Sequence, residues 1–150
     1  MVTIKDYGTL PKVECFPGQL NQVFMNILVN ALDALDDKNT KRSYQELKDA
    51  PNQITIRTSA IDNQWVEVAI ADNGMGMPDP VKQRIFDPFF TTKAIGKGTG
   101  LGMSISYQII TEKHGGKIKC FSTPGSGTKF VIQIPIRQQT ISALPIPAES

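Results

Sequence analysis

Only one histidine, His114, one tryptophan and two cysteines occur among the 150 residues, aromatic residues make up 7% of them, and the formal charge is just +2. Each scarcity excludes something. Cys15 and Cys120 stand far apart in apolar, strand-like surroundings, with no CxxC and no neighbouring histidine, so neither a disulfide framework nor a zinc site is expected. Both are expected to be buried thiols in a reducing compartment. The small net charge gives no argument for binding nucleic acid, although a local lysine cluster can still meet a small polyanion. No stretch approaches the roughly 18 apolar residues of a membrane span, and the opening MVTIKDYGTL has no apolar core of signal-peptide length. A soluble cytoplasmic domain without direct membrane contact is the expectation, whether or not a parent protein is membrane-anchored.

What is present is enough for one core. A chain of this size buries roughly 68–70% of its unfolded surface, and 40% hydrophobic with 20% charged residues is ordinary for a globular protein. Short extended segments are expected at 2–7 and 12–15. Pro17, whose missing N–H and fixed φ suit a first turn, opens a helix to about Asp36. Its apolar positions Leu20, Phe24, Ile27, Leu28, Ala31 and Leu35 form one stripe at 100° per residue, and Asn26, Asn30 and Asp33 fall on another face. The polar stretch 38–53 reads as a surface excursion with a short helix over SYQELKDA. ITIRTSA and WVEVAIAD form a hairpin around IDNQ, and Asp72 closes its second strand. From Asn73 to Gly98 runs a glycine- and proline-rich loop with a helical turn near Pro80 to Ile85, and loops of that length are usually functional. A second helix follows to about Lys113, stopped by His114-Gly115-Gly116. KIKCFST and TKFVIQIPI make a final hairpin around PGSG, and residues 138–150 read as a loose, disordered tail to a domain spanning 1–137.

Glycine loops that cradle phosphates use positive φ and let backbone N–H groups approach oxygen. Two such loops occur, in DNGMGMP and GKGTGLG, the second running into a helix. A Walker A loop, GxxxxGK[ST], is absent, and a dinucleotide fingerprint needs a strand immediately before its glycines, where a proline-containing loop stands instead.

Five motifs in order carry the most specific signal: NQVFMNILVNALDAL, DNGMGMP, FDPFFTTK, GKGTGLGMSI and GSGTKF. Over Pro11 to Ile136 the sequence resembles the GHKL superfamily of ATP-binding domains, and within it the histidine kinases, with these motifs as the N box, first glycine box, F box, second glycine box and a final Gly-Thr element. The resemblance implies an α/β fold: a two-layer α/β sandwich of the Bergerat type, with a mixed, mostly antiparallel sheet, helices on one face and ATP under a lid. It implies Asn30 as the Mg²⁺ ligand, an amide oxygen suiting a hard cation, with Asn26 one turn earlier supporting phosphates or metal-bound water. Asp72 would select adenine through its amino group, Gly74 and Gly76 would admit close backbone approach, and Thr128 would reach the base through water. Phe86, with Phe89 and Phe90, would pack the lid down, the competing view being a plain core cluster. Thr91, Thr92, Lys93 and Lys97, with Gly98, Thr99, Gly100, Leu101 and Gly102, would surround the triphosphate.

Related ATPases in the superfamily place a Glu one helical turn before the metal-binding Asn as general base for water. Here that position is Asn26, which cannot take a proton, so phosphoryl transfer to a positioned imidazole fits better than hydrolysis. Many histidine kinases carry Lys three residues after the metal-binding Asn, where this chain has Asp33. His114, followed by Gly-Gly rather than an acidic residue, reads as part of a helix stop. The acceptor histidine is expected on a separate dimerisation domain of the parent kinase, with a response regulator as the indirect partner. A nucleotide-binding regulatory module without transfer activity and a GHKL ATPase are the alternatives.

Overall fold

Helix α1, Pro17–Asn39, starts at Pro17 and buries Leu20, Val23, Ile27, Ala31 and Leu35, a row at helical spacing. In the computed structural model it anchors the described residues, which are 2–40, 42–90 and 101–138. The helix runs three residues past Asp36 because no breaker intervenes and Lys38 in the last turn complements the dipole. A short helix α2, Tyr44–Asp49, is closed by a capping box in which Ser43 and Glu46 exchange bonds with each other's backbone N–H.

Five strands form one sheet in the order β1-β2-β3-β5-β4: β1 is Val2–Tyr7, β2 Gln53–Ala60, β3 Trp65–Asp72, β4 Lys117–Thr123 and β5 Gly127–Pro135. β1 lies parallel to β2, and every other pairing is antiparallel, as the expected mixed sheet requires. The segment 12–15 joins no strand, although Glu14 N–H donates to the Ile136 carbonyl. Period-two alternation places Ile54, Val66, Ile70, Ile118, Phe130, Ile132 and Ile134 in one buried cluster with the α1 stripe and with Met103, Ile109 and Ile110. Charged residues such as Arg57, Lys119 and Lys129 fall on the opposite, open face, where Arg57 pairs with Asp6 across β1 and β2. Cys15 and Cys120 are free but half-buried, not fully buried as expected, because each lies at the margin of the core. Burial pushes the Cys120 thiol up to about 11, so it stays protonated and inert. Among the described residues no helix is long and apolar enough to cross a membrane.

After the single turn α3, Asp79–Lys82, the second long helix departs from a plain α-helix. α4, Gly102–Gln108, passes into a π-helical turn, Ile109–Lys113, where the helix widens to five-residue spacing. The reason lies in His114, 1% exposed: its Nδ1 reaches the Ile109 carbonyl, five residues back, at 2.9 Å. Its Nε2 accepts the Phe16 N–H at 3.0 Å, and the Phe16 ring meets the imidazole edge-on at 5.3 Å. An N–H donor at Nε2 requires a lone pair there, which puts the ring proton on Nδ1 facing Ile109. Both nitrogens are thus committed to pinning the start of α1 to the end of the second helix, and neither is presented for phosphorylation. His114→Ala should lose about 2–4 kcal/mol by urea unfolding, from the orphaned Phe16 N–H plus the cavity. An unchanged midpoint would contradict this role.

Candidate functional site

One edge of α1 links the two glycine segments. Asn26, Asn30, Ala34 and Lys38 recur every four residues, so they line up along the helix beside its buried stripe over about 18 Å. At the first position the Asn26 amide Nδ2 donates to the Gly102 carbonyl at 3.0 Å and to Ser106 Oγ at 3.1 Å, while its Oδ1 accepts from Gln22 at 3.1 Å. Ser106 is fully buried and itself donates to the Gly102 carbonyl at 2.8 Å. Asn26 therefore rivets α1 to the start of α4, a use of its amide that sequence reasoning did not foresee. At the third position, a Cβ on Gly74 would lie 2.9 Å from the Ala34 Cβ, so glycine is what lets the first loop lie against the helix. At the fourth, Lys38 Nζ donates to the Asn73 carbonyl at 2.5 Å. Asn30 sits between these anchors, half-exposed, and among the described residues its side chain has no hydrogen-bonding partner.

The first glycine segment is equally constrained at the sheet. Gly76 has φ +72°, and a Cβ there would stand 2.0 Å from the Thr123 carbonyl, so only glycine fits both the conformation and the contact. The Gly125 N–H donates to the Met75 carbonyl at 2.6 Å, and the Met77 N–H donates to Ser122 Oγ at 2.8 Å. The loop is thereby stitched to the turn between β4 and β5. Asn73 ties its other side to β2, accepting from Gln53 N–H at 2.8 Å and donating to the Pro51 carbonyl at 3.1 Å.

Asp72, at the end of β3, accepts from the Gly74 N–H at 2.8 Å and pairs across strands with Thr128. Burial pushes its carboxyl above the ordinary aspartate value, and the N–H groups of Gly74 and Thr128, then the Lys38 charge, pull in the opposite direction. Thr128 is buried beside it, with Oγ1 2.8 Å from Ser122 Oγ. This group holds hydrogen-bond acceptors at the rim of the core, which suits a ligand amino group better than water alone.

The structure divides the three phenylalanines. Phe86 packs into the core against Tyr107 and Phe130, at ring separations of 5.4 and 6.3 Å, which is the core-cluster alternative. Phe89 is 73% exposed with φ 64°, and Phe90 lies under the Arg84 guanidinium at 4.7 Å. Leu101 immediately precedes α4, and the Ser104 hydroxyl donates to its carbonyl at 3.0 Å. Thr91, Thr92, Lys93, Lys97, Gly98, Thr99 and Gly100 lie outside the described residues, as does 139–150. Ser106, Ser122, Lys38 and Asn73 were not singled out from sequence. Only Ser122 had a usable signal, since the hairpin around PGSG sets it opposite Thr128.

No group of three or more His, Cys, Asp or Glu able to hold a metal occurs among the described residues. A cation here would come with its phosphates and take one amide oxygen, as Asn30 offers, with water filling the remaining positions. The Asn30 amide, which has no hydrogen-bonding partner among the described residues, and the acceptor group around Asp72 fit a magnesium-bound adenine nucleotide.

Residues 16–138 match the family model described as histidine kinase-, DNA gyrase B-, and HSP90-like ATPase. The chain is 39% identical over 129 residues to sporulation kinase E of Bacillus subtilis (strain 168), covering 86% of this chain and 15% of that protein. It is 37% identical over 148 residues to sensor kinase CckA of Brucella abortus (strain 2308), covering 88% and 14%. The chain thus spans about one seventh of the length of these curated relatives. The nucleotide-free catalytic domain of histidine kinase ThkA superposes with a TM-score of 0.70 at 30% identity, over 90% of this chain and 80% of that one. The chain belongs to the histidine kinase-, DNA gyrase B- and HSP90-like ATPase family, as an ATP-binding catalytic domain of the sensor histidine kinase type.

Proposed function

We propose that this domain holds Mg-ATP between α1 and the two glycine segments and donates the γ-phosphoryl group to a histidine on a separate helical dimerisation domain of its parent kinase, which then serves a response regulator. The reading carries a cytoplasmic location, where ATP is available. Asp72 and Thr128 receive the adenine, Gly74 and Gly76 let the backbone close around it, and Asn30 is the magnesium ligand. The lid segment with Thr91, Thr92, Lys93, Lys97, Gly98, Thr99 and Gly100 completes the phosphate site. Bound magnesium supplies charge neutralisation across the phosphates.

Asn26 is the observation that carries transfer over hydrolysis. An amide cannot take a proton from water, and this one is occupied by Gly102, Ser106 and Gln22. With no base at that position, the chain's own contribution is orientation: Asn26 fixes α4 against α1, and Asn30 lies on the same helix edge. Orientation suffices when the nucleophile is an imidazole, whose own nitrogen attacks the phosphorus as the bond to the ADP oxygen breaks.

Isothermal titration with a non-hydrolysable ATP analogue should show binding by the wild type and at least about tenfold weaker binding by Asp72→Asn, the loss of a charged acceptor being worth about 1.5–3 kcal/mol; equal affinities would remove the adenine assignment. Mixed with a helical acceptor domain and labelled ATP, the chain should label the acceptor histidine while releasing no steady phosphate by itself. Binding without labelling would favour a regulatory module, and steady release an ATPase. Stability should respond in the opposite sense to binding. A carboxyl raised on folding holds its proton more tightly in the folded state, so its contribution is present at low pH and lost as pH climbs through the folded-state value. Asp72→Asn should therefore match or exceed the wild-type Tm at pH 7, any advantage shrinking as pH falls toward and below the ordinary aspartate value.

A further inference from the structure

Asp72, Thr128 and Ser122 form one row across three adjacent strands, Asp72 opposite Thr128 between β3 and β5 and Thr128 opposite Ser122 between β5 and β4. The Ser122 hydroxyl stands at a junction. It accepts the Met77 N–H at 2.8 Å, lies 3.0 Å from the Gly127 carbonyl, and lies 2.8 Å from Thr128 Oγ1. Two hydroxyl protons must be shared among these contacts, and a carbonyl oxygen can only accept.

If Ser122 donates to Gly127, its remaining lone pair takes the proton of Thr128, and both protons are satisfied. If Ser122 donates to Thr128 instead, the Thr128 proton has no acceptor among the described residues, which is costly for a hydroxyl as buried as this one. The first arrangement is therefore favoured. It leaves Thr128 Oγ1 with only lone pairs to offer, at the strand position opposite Asp72, whose carboxylate also offers only lone pairs.

We propose that Ser122 is a positioning residue for nucleobase specificity, which turns the Thr128 hydroxyl into an acceptor so that Asp72 and Thr128 together demand a donor from the base. The proposal rests on the nucleotide-binding reading above and deepens it. Adenine carries an exocyclic amino donor where guanine carries a carbonyl acceptor, so guanine would set acceptor against acceptor. With Ser122 removed, the Thr128 hydroxyl can rotate and donate, and guanine is no longer refused on that side.

The test is the ratio of ADP to GDP dissociation constants by isothermal titration, in wild type, Ser122→Ala, Ser122→Thr, Thr128→Val and the Ser122→Ala/Thr128→Val double variant. Wild type should prefer ADP. Ser122→Ala should narrow the preference about five- to tenfold, the worth of one hydrogen bond to a neutral group. Ser122→Thr, which keeps the hydroxyl, should restore it, and Thr128→Val should make the Ser122→Ala change silent in the double-mutant cycle. An equal weakening of both nucleotides in Ser122→Ala would mean that Ser122 merely braces Met77, and would overturn the proposal. If Ser122→Ala fails to fold, an unaltered ratio in Thr128→Val overturns it just as well, because Thr128 is the atom through which Ser122 acts. Wild-type protein binding neither nucleotide would dismiss the nucleotide reading itself and this proposal with it. Wild-type preference for ADP with an unaltered ratio in Ser122→Ala would dismiss the Ser122 assignment alone.

Discussion

Burial of the α1 stripe against the sheet is the constraint from which the rest of the site follows. Once Leu20, Val23, Ile27, Ala31 and Leu35 face the strands, the 3.6-residue period leaves no freedom over where the neighbouring edge points. That edge carries Asn26, Asn30, Ala34 and Lys38, and each of its anchored members meets a backbone group of a glycine segment or of the residue beside one. Hydrophobic burial thus sets the direction of the polar side chains, and their hydrogen bonds then fix the loops.

The loops pay for their closeness in conformational restriction. Gly76 must hold positive φ against the Thr123 carbonyl, and a Cβ on Gly127, with φ +109°, would stand 2.0 Å from the Asp72 carbonyl. Such contacts bring the first glycine segment, the β4–β5 turn and the end of β3 into one unit. Within that unit Asp72 is held where burial opposes its charge. A carboxyl so placed destabilises the fold at neutral pH and gains its compensation when a donor meets it, a common pattern at binding sites.

Much of this was legible in the residues. The stripe of α1, the two hairpins, the short helix over SYQELKDA and the glycine segments all depend on local periodicity or local turn chemistry, which a short window contains. The π-helical turn was not legible, because the His114 imidazole at its end is oriented by Phe16, 98 positions away in the chain. The same holds for Asn26: the motif marks it as polar and close to Asn30, but its partners Gly102 and Ser106 lie 76 and 80 residues away. Phe86 shows a different limit, since a residue within a loop motif also packs against Phe130 of the core, a contact no short window contains.

By itself the sequence determined the family, the layer architecture and which residue types surround the candidate site, because these follow from motif order and from alternation of apolar and polar positions. It also determined that Asn26 is an amide that cannot take a proton, since amide chemistry is a property of the residue. Only the tertiary structure decided what each polar group touches. Strand register set Asp72, Thr128 and Ser122 in one row, helix packing committed the Asn26 amide to α4 while leaving Asn30 without a partner among the described residues, and chain closure buried His114 between two helix ends. Hydrogen bonds reach about 3 Å, so which partners a side chain finds is decided by the fold that brings distant segments within that range.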